Sequence, residues 1–316
     1  MKRTGFLYDE RYLNHLTGPY HPEVPERLTA IYNGIAQKGL LEHLRLIPAQ
    51  PAERMWIELV HDKAYIDRLE AACRNGQKTF DSPDNQMGPA TFETALLAVG
   101  GVLDTIDRVI VDEIDNAFCA VRPPGHHAER SKAMGFCYFN NAAIAATYLQ
   151  TKWFLQRVAV IDIDVHHGNG TQHIFEEDDT VFYYSIHQHP SFAYPGTGRA
   201  FENGEKRGVG YTCNATVLPG QGDDFYREAI AGELATAMQR FRPEFIIVSV
   251  GFDAHEDDDM ADVALSTEGY SWVMQQLVDI SRRHADGKLI SILEGGYNLE
   301  RLPELAADHV QILLND

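Results

Sequence analysis

The sequence has few cysteines and no long apolar run. Its 316 residues include only four cysteines, which lie far apart, so we expect neither a disulfide framework nor a Cys-x-x-Cys metal site. No segment approaches the roughly 18 uninterrupted apolar residues of a membrane span, and the first residues lack the apolar core of a secretory signal. These absences predict a cytoplasmic protein without a membrane partner.

Positive charge is also scarce. The chain has 27 Lys and Arg against 46 Asp and Glu, which gives a formal net charge of −19. A surface this acidic repels the phosphates of nucleic acids and attracts cationic groups. We therefore expect no direct nucleic-acid partner, and substrates that carry amines are favoured.

Several common catalytic signatures are missing. There is no Gly-x-Gly-x-x-Gly after a strand, no Walker loop, no Gly-x-Ser-x-Gly elbow and no His-Glu-x-x-His. The acidic run from His255 to Asp259, together with Asp262, lacks the glycine that an EF-hand loop requires. We interpret that run as a solvated rim rather than a calcium site.

What is present is an alternation of two patterns. Short apolar runs rich in β-branched residues alternate with segments of helical period, with no repeat and no linker between them. The predicted strands are 116–121, 157–161, 181–184, 245–250 and 289–293, and the clearest predicted helices are 90–111, 141–151, 223–240 and 267–283. This order predicts one α/β domain over residues 1–316, with a mostly parallel sheet and helices on both faces.

Ligands of such sheets bind outside the carboxyl ends of the strands. Four of the apolar runs are followed at once by residues capable of chemistry. These are Arg122-Pro-Pro-Gly-His-His127, Asp162-Ile-Asp-Val-His166, Gly251-Phe-Asp-Ala-His255 and Glu294-Gly-Gly-Tyr297. The sequence thus predicts one site at one edge of the sheet.

A metal centre is the first chemistry that these residues suggest. If the strand continues through residues 162–166, Asp162, Asp164 and His166 share one side of it. Asp164 and His166, joined by Asp253, would give three ligands and an open position for water, as in catalytic zinc sites. Because this ligand set is hard, Fe(II), Co(II) or Mn(II) compete with Zn(II). A metal-bound water is a nucleophile near neutral pH, which predicts hydrolysis of a carbonyl or phosphoryl compound.

Acid–base groups lie on two of the other segments. The adjacent His126 and His127 can share one pocket because the preceding Pro-Pro-Gly makes the backbone irregular. One of them can take a proton from the water and later protonate a leaving amine. Asp162 is available to orient one ring and Asn169 the other, although two ordinary loop histidines are an equal alternative for such a pair alone. Tyr297, after two glycines able to adopt positive φ, can donate a hydrogen bond to an oxyanion.

These motifs together resemble those of the metal-dependent histone deacetylases, more specifically the class II-like deacetylases and acetylpolyamine amidohydrolases. The resemblance rests on residues 21–28 (HPEVPERL), 122–127 (RPPGHH), 135–141 (GFCYFNN), 162–171 (DIDVHHGNGT), 194–198 (YPGTG), 251–255 (GFDAH) and 294–298 (EGGYN). It covers nearly the whole chain. It implies the arginase-deacetylase fold, a single α/β domain with a mostly parallel sheet.

The resemblance also implies roles for individual residues. It makes Asp164, His166 and Asp253 the metal ligands, His126 and His127 the acid–base pair, Asp162 the partner of His126 and Tyr297 the group that polarises the amide carbonyl. It implies a narrow acyl-lysine tunnel at Gly135 with Phe136 and Tyr194 as its walls, and Asp84 at the rim to bind substrate backbone. A structural K⁺ would lie beside Asp162, the backbone of Asp164, His166 and Ile186, and the side chain of Ser185. A second monovalent cation would bind main chain around Phe175, Asp178, Val181 and Tyr211.

Four features depart from the family pattern, and two of them bear on the substrate. Asn169 replaces the Asp of class I-like members, which supports the class II-like assignment and weakens the orientation of His127. Tyr194 stands where Phe is commoner. Met260 stands where a polyamine-selective member has glutamate, and no long insertion lies near Tyr194. The last two features favour an acyl-lysine over an acetylpolyamine.

We therefore predict a Zn-dependent amidohydrolase, with Fe²⁺ or Co²⁺ possible, that removes acetyl from a lysine side chain or a similar aliphatic amine. The alternative within this class is deacylation of a polyamine or another small amine. A binding module without catalysis and an arginase-like ureohydrolase, which needs a second metal, are the alternatives outside it. The sequence leaves the oligomeric state open.

Overall fold

The computed structural model describes residues 2–316 and contains ten strands within them. The strands are β1 (Thr4–Leu7), β2 (Arg45–Ile47), β3 (Thr79–Phe80), β4 (Ser82–Gln86), β5 (Asn116–Cys119), β6 (Val158–Asp162), β7 (Val181–Gln188), β8 (Thr212–Val217), β9 (Phe245–Val250) and β10 (Leu289–Leu293). Strands β3 and β4 form a small antiparallel pair of their own. The other eight form the central sheet.

Helices connect most of these strands. They are α1 (Glu26–Gln37), α2 (Arg54–Ile57), α3 (Lys63–Arg74), α4 (Thr91–Ile110), α5 (Asn141–Trp153), α6 (Asn169–Phe175), α7 (Asp223–Glu228), α8 (Ala235–Phe241), α9 (Thr267–His284) and α10 (Leu302–Asn315). Short 3₁₀ helices span Glu10–Asn14, Leu41–His43 and Lys206–Gly208. Among the described residues, none of these helices combines the length and the apolar character that crossing a membrane requires.

The central sheet is parallel throughout, in the order β2-β1-β5-β10-β9-β6-β7-β8. Strands β5, β10, β9 and β6 are therefore neighbours, although they are far apart in the chain. Every residue of these four strands is buried, because the sheet is covered on both faces. The prediction of an α/β fold with a parallel sheet is confirmed.

Two predicted elements have different limits in the structure. The helix predicted at 223–240 is divided by a π-helical segment, Ala229–Leu234, between α7 and α8. Strand β7 runs past the predicted end at residue 184 as far as Gln188. Three of its last four residues are polar, so an apolar pattern does not reveal them, and they are strand because they pair with β8.

One close contact of α4 gives a test of this packing. A Cβ on Gly100 would overlap the backbone carbonyl of Gln50 and lie 2.5 Å from the backbone nitrogen of Ala52, whereas a Cβ on Gly232 would meet nothing within 4 Å. Both glycines lie inside helical segments, so both gain helix propensity on substitution, about 1 kcal/mol in a helix interior. We expect Gly100→Ala to lower the free energy of unfolding by about 1–3 kcal/mol and Gly232→Ala to leave it unchanged or higher. Urea denaturation of the two variants measures this, and equal midpoints would contradict the described packing.

Candidate active site

The carboxyl ends of four adjacent strands meet at one edge of the sheet. Because β5, β10, β9 and β6 are parallel neighbours, the segments that follow them converge. They bring together His126 and His127 after β5, Asp164 and His166 after β6, Asp253 after β9, and Tyr297 after β10. The predicted meeting of these four segments at one edge is confirmed.

Three of these side chains form a compact buried cluster. One ligand atom from each of Asp164, His166 and Asp253 lies within 4.8 Å of the others. The Nδ1 of His166 is 3.1 Å from Oδ1 of Asp164 and 3.2 Å from Oδ2 of Asp253. That Oδ2 atom is buried and makes no hydrogen bond. A buried carboxylate oxygen without a donor is what a cation site leaves in the protein, since burial of an unpaired charge is otherwise costly.

The segment that carries this cluster is not a strand. Strand β6 ends at Asp162, close to its predicted end at residue 161, so the strand does not continue through residue 166 and the condition for placing Asp162, Asp164 and His166 on one side of it is not met. The chain turns instead, because the backbone NH of Asp164 donates to Oδ1 of Asp162 at 3.2 Å and the NH of His166 donates to Oδ1 of Asp164 at 2.8 Å. These side-chain contacts satisfy the backbone where the strand pairing stops.

Two glycines make room for the carboxylates. A Cβ on Gly251 would lie 2.5 Å from Cγ of Asp164, and one on Gly295 would lie 2.7 Å from Oδ2 of the same residue. The backbone NH of Gly295 donates to that oxygen at 2.8 Å. Both Gly295 and Gly296 are able to adopt positive φ, but only Gly296 does so, at 112°. Gly295 is therefore required by close approach rather than by backbone angle.

The charges of the cluster act strongly on one another. Burial, and after it the charge of Asp164, raises the pKa of Asp253 to about 6. Burial alone would raise the pKa of Asp164, but the imidazolium forms of His126 and His166 outweigh it and lower that pKa. Burial alone would lower the pKa of His166, but the two carboxylates raise it to about 10. Two acids held around one ring nitrogen fit a divalent cation, and the donor set does not decide which one.

A second group of possible ligands, His126, Cys137 and Glu294, lies nearby. Its members already have partners, since His126 contacts Asp162 and the Cys137 thiol contacts the Gly135 carbonyl at 3.2 Å. Burial raises the pKa of the Cys137 thiol, whereas metal ligation needs the thiolate. This group fits a metal less well than the first.

The two adjacent histidines have different hydrogen-bond partners, and their pKa values shift in opposite directions. The Nδ1 of His126 is 3.0 Å from Oδ2 of Asp162, and the Nδ1 of His127 is 2.7 Å from Oδ1 of Asn169. Burial alone would lower the pKa of His126, but Asp162 and Asp164 raise it to about 10. Burial, and after it the charge of His126, lowers the pKa of His127 well below its ordinary value. The pair thus favours one charged and one neutral ring, a separation typical of acid–base sites.

Glu294 holds the main chain of the histidine segment. Its Oε2 accepts hydrogen bonds from the backbone NH groups of Gly125 at 2.7 Å and His126 at 3.1 Å. Its Oε1 accepts a hydrogen bond from the hydroxyl of Ser249 at 3.1 Å. From the sequence, Glu294 is only the first residue of the motif that ends at Tyr297. A carboxylate at the end of an apolar strand was the signal that could have revealed a buried acceptor.

Asp258 does the same for the segment of Tyr297. Its Oδ2 accepts hydrogen bonds from the backbone NH groups of Tyr297 at 2.7 Å and Asn298 at 2.9 Å. Asp258 and His255 are buried, so the prediction that the run from His255 to Asp259 is a solvated rim was wrong for these two residues. Nothing in the local sequence distinguishes Asp258 from its exposed neighbours, because its partners lie about forty residues away along the chain.

The motif at residues 21–28 supplies buried ion pairs below the site. Glu23 binds two arginines, Arg27 at 3.0 Å and Arg122 at 2.7 Å. Arg27 donates to the backbone carbonyl of Gly296 at 2.6 Å, and its guanidinium lies 4.9 Å from the ring centroid of Tyr297. These contacts fix the main chain before Tyr297 and were not anticipated from the sequence.

A narrow cavity of about 240 Å³ leads down to the cluster. Its lining contains every residue predicted for the tunnel, namely Asp84, Gly135, Phe136, Tyr194 and Met260, together with His127, His166 and Tyr297. A Cβ on Gly135 would lie 2.8 Å from Cγ of His127, so only glycine fits there. Phe136 adopts a φ of 69°, held by a 2.8 Å hydrogen bond from its NH to Oδ1 of Asn85. The cavity suits a slim chain rather than a branched group.

The residues predicted for monovalent cations lie near β7. Ser185 and Ile186 belong to β7, and Ser185 is directly opposite Asp162 of β6. Phe175, Asp178 and Val181 lie on the connection from α6 into β7, and Tyr211 directly precedes β8. Cation binding at either group stays a prediction.

Comparisons with known proteins agree with this geometry. The family described as "Histone deacetylase domain" matches residues 21–313. A "Probable deacetylase" of Archaeoglobus fulgidus is 38% identical over 299 residues, 94% of this chain and 82% of that protein. The "Histone deacetylase-like amidohydrolase" of Pseudomonas aeruginosa is 36% identical over 319 residues, 96% of this chain and 83% of that protein.

A solved structure shows the same architecture. The crystal structure of the HDA15 HD domain matches with a TM-score of 0.93 at 35% identity, over 100% of this chain and 89% of that one. The chain therefore has the arginase-deacetylase fold. On the family match, the sequence identities and this structural match, it belongs to the histone deacetylase family.

Proposed function

We propose that this deacetylase-family hydrolase is a metal-dependent amidohydrolase that removes acetyl, or another short acyl group, from the amine at the end of a slim aliphatic chain. The observation that carries the proposal is that His166, one member of the cluster with Asp164 and Asp253, lines the 240 Å³ cavity together with His127 and Tyr297. A lysine side chain is the preferred substrate. Residues 1–316 form one catalytic domain in this proposal, and the chain acts in the cytoplasm.

Asp164, His166 and Asp253 would hold the divalent cation. When bound, Zn²⁺, or Fe²⁺ or Co²⁺ in its place, polarises a carbonyl and makes water a better nucleophile. The backbone NH of Gly295 and that of Val165, which donates to Oδ1 of Asp253 at 3.1 Å, keep the two carboxylates in place. K⁺ at the two predicted monovalent sites would support the same segments.

The histidine pair moves the proton. His127 lines the cavity, and its Nδ1 faces Oδ1 of Asn169, so its Nε2 is free to accept a proton from the attacking water. The lowered pKa of His127 keeps this ring neutral before the reaction. His126, whose pKa the carboxylates of Asp162 and Asp164 raise, keeps a positive charge beside the reacting atoms. The proton taken by His127 then goes to the departing amine.

Tyr297 stabilises the oxyanion. Burial raises the pKa of its hydroxyl well above the ordinary value, and Arg27 opposes this only in part, so the group stays a hydrogen-bond donor. Its backbone is held by Asp258 on one side, and that of the preceding Gly296 by Arg27. A donor already aimed at the developing charge needs no reorganisation during the reaction.

The walls and the rim of the cavity select the substrate. Phe136 and Tyr194 enclose a methylene chain, because aromatic faces pack well against slim aliphatic groups. Asp84 offers a carboxylate to the backbone NH groups of a peptide. Met260 gives the rim an apolar side and offers no partner to a second ammonium group. This rim supports an acyl-lysine over a polyamine, whereas the net charge of −19 favours both cationic substrates alike.

The free energy of unfolding of an Asp253 variant, with and without Zn²⁺, tests the proposed metal ligation. Asp253→Asn keeps the acceptor for the NH of Val165 but removes one charge beside Asp164. We expect the metal-free variant to be at least as stable as the metal-free wild type. Zn²⁺ at one hundred times its Kd should raise the free energy of unfolding of the wild type by about 2.7 kcal/mol and that of the variant hardly at all. Urea denaturation with chelator or Zn²⁺ measures both, Asp259→Asn on the exposed rim is the control, and a wild-type response of Asp253→Asn would exclude this ligand.

Tyr297→Phe tests the oxyanion donor. The loss of one such donor should lower kcat by about 10²–10³-fold while metal content per chain stays the same. Turnover of an acetyl-lysine peptide and elemental analysis measure the two quantities. Tyr20→Phe is the matched control, since Tyr20 is 98% exposed. Undiminished turnover would remove Tyr297 from the mechanism.

The preferred amine follows from a comparison of kcat/KM. We expect an acetyl-lysine peptide to be hydrolysed with a higher kcat/KM than acetylspermidine. Met260→Glu should raise kcat/KM for acetylspermidine by about tenfold, the value of roughly one charge-assisted hydrogen bond, whereas Met260→Gln should not. A higher value for acetylspermidine with the wild type would reverse the assignment, and no activity of metal-loaded protein on either substrate would favour a binding module.

A further inference from the structure

A chain of hydrogen bonds leads from the cavity to the protein surface. The Nδ1 of His127 contacts Oδ1 of Asn169 at 2.7 Å, and Nδ2 of Asn169 donates to Oε1 of Glu129 at 2.5 Å. The same Oε1 lies 2.8 Å from Nδ1 of His173. The side chain of Glu129 is 21% exposed and that of His173 40% exposed, so the chain begins at a buried ring and ends near solvent.

The hydrogen bonds of Asn169, in the middle of this series, have a fixed donor and acceptor direction. A side-chain amide donates at its nitrogen and accepts at its oxygen, whereas a carboxylate only accepts. Nδ2 of Asn169 faces three acceptors, namely Oε1 of Glu129, the backbone carbonyl of His127 at 3.3 Å and, at 3.7 Å, the weakly accepting Sδ of Met134. The amide oxygen must then face the ring of His127. Nδ1 of His127 therefore carries the proton, and its Nε2 keeps the lone pair.

Among the acceptors that face Nδ2 of Asn169, Glu129 fixes the orientation of the amide most strongly. If the amide of Asn169 rotated by half a turn, its oxygen would face the carboxylate of Glu129, and two acceptors would repel at hydrogen-bond distance. Without Glu129 the backbone carbonyl of His127 and Sδ of Met134 would oppose that rotation, through longer and weaker contacts. His126 needs no such help, because both oxygens of its partner Asp162 are acceptors.

We propose that Glu129 is a positioning residue that fixes the amide of Asn169 and thereby the tautomer of His127. The inference rests on the proposed function, since that tautomer matters only if Nε2 of His127 accepts a proton. It also explains how Asn169 serves where other family members have Asp. An amide orients the ring as reliably as a carboxylate does when a second carboxylate fixes the amide.

Two single variants and the double variant that combines them test this inference. Glu129→Ala frees the amide, so we expect kcat to fall by about tenfold or more, within the usual contribution of general acid–base catalysis, with KM and metal content unchanged. Asn169→Asp alone should also lower kcat, because it places a carboxylate against Glu129. The double variant should recover to within about threefold of the wild type, since either oxygen of the new carboxylate accepts from Nδ1 and no second carboxylate opposes it. Because the double variant contains the same alanine, its recovery also shows that Glu129→Ala does not act through misfolding.

His173→Gln is the control. It removes the outer partner of Glu129 but leaves the contact with Asn169, so kcat should change by less than about twofold, within the range of surface substitutions. Long-range ¹H–¹⁵N spectra of the histidine rings in the metal-loaded enzyme give a direct readout. They should show the proton on Nδ1 of His127 in the wild type and a mixture of tautomers in Glu129→Ala.

Two results would overturn the inference. One is a wild-type kcat and tautomer in Glu129→Ala, and the other is a double variant whose activity is the product of the two single losses. Failure of the proposed function looks different, since the wild type itself would then lack activity on acyl amines. The spectra would still report whether Glu129 sets the tautomer of His127 in that case.

Discussion

The candidate site is constrained by two buried carboxylates, those of Asp164 and Asp253, whose like charges repel each other. Each is surrounded by protein and lies close to the ring of His166, and Asp253 has an oxygen without any donor. The burial of two like charges at this distance is unfavourable unless a positive charge lies between them, either a bound cation or the imidazolium form of His166. This arrangement, with a cavity beside it, supports the proposal of a metal centre that a substrate can reach.

The parallel sheet is what makes the arrangement possible. Residues that are far apart in the chain arrive at one edge because β5, β10, β9 and β6 are neighbours with the same direction. The side chains that bring chemistry are in turn fixed through the main chain by a second set of buried charges, Glu294, Asp258 and Arg27. Because a second set of buried charges fixes the side chains of the site, many polar groups are buried around a small cavity. In the proposed function the inner groups act on the substrate, and the outer groups restrict the movement of the inner ones.

Much of this could be predicted from the sequence, because it is encoded locally. The apolar runs predict the strands, and the polar residues that follow them predict the site, since parallel strands end at one edge. The predictions that failed concern residues whose contacts lie far away in the sequence. Asp258 resembles its exposed neighbours until Tyr297 is placed beside it, and Gly295 resembles a turn residue until Asp164 is placed against it. Glu129 acquires its role only because α6 packs Asn169 between it and His127.

X-ray absorption at the zinc edge of the metal-loaded protein tests the central claim most directly. The cluster of Asp164, His166 and Asp253 predicts one zinc per chain with only nitrogen and oxygen ligands, at about 2.0–2.2 Å. A sulfur ligand at about 2.3 Å would place the metal at Cys137 instead. That result, or a stoichiometry of two, would contradict the account.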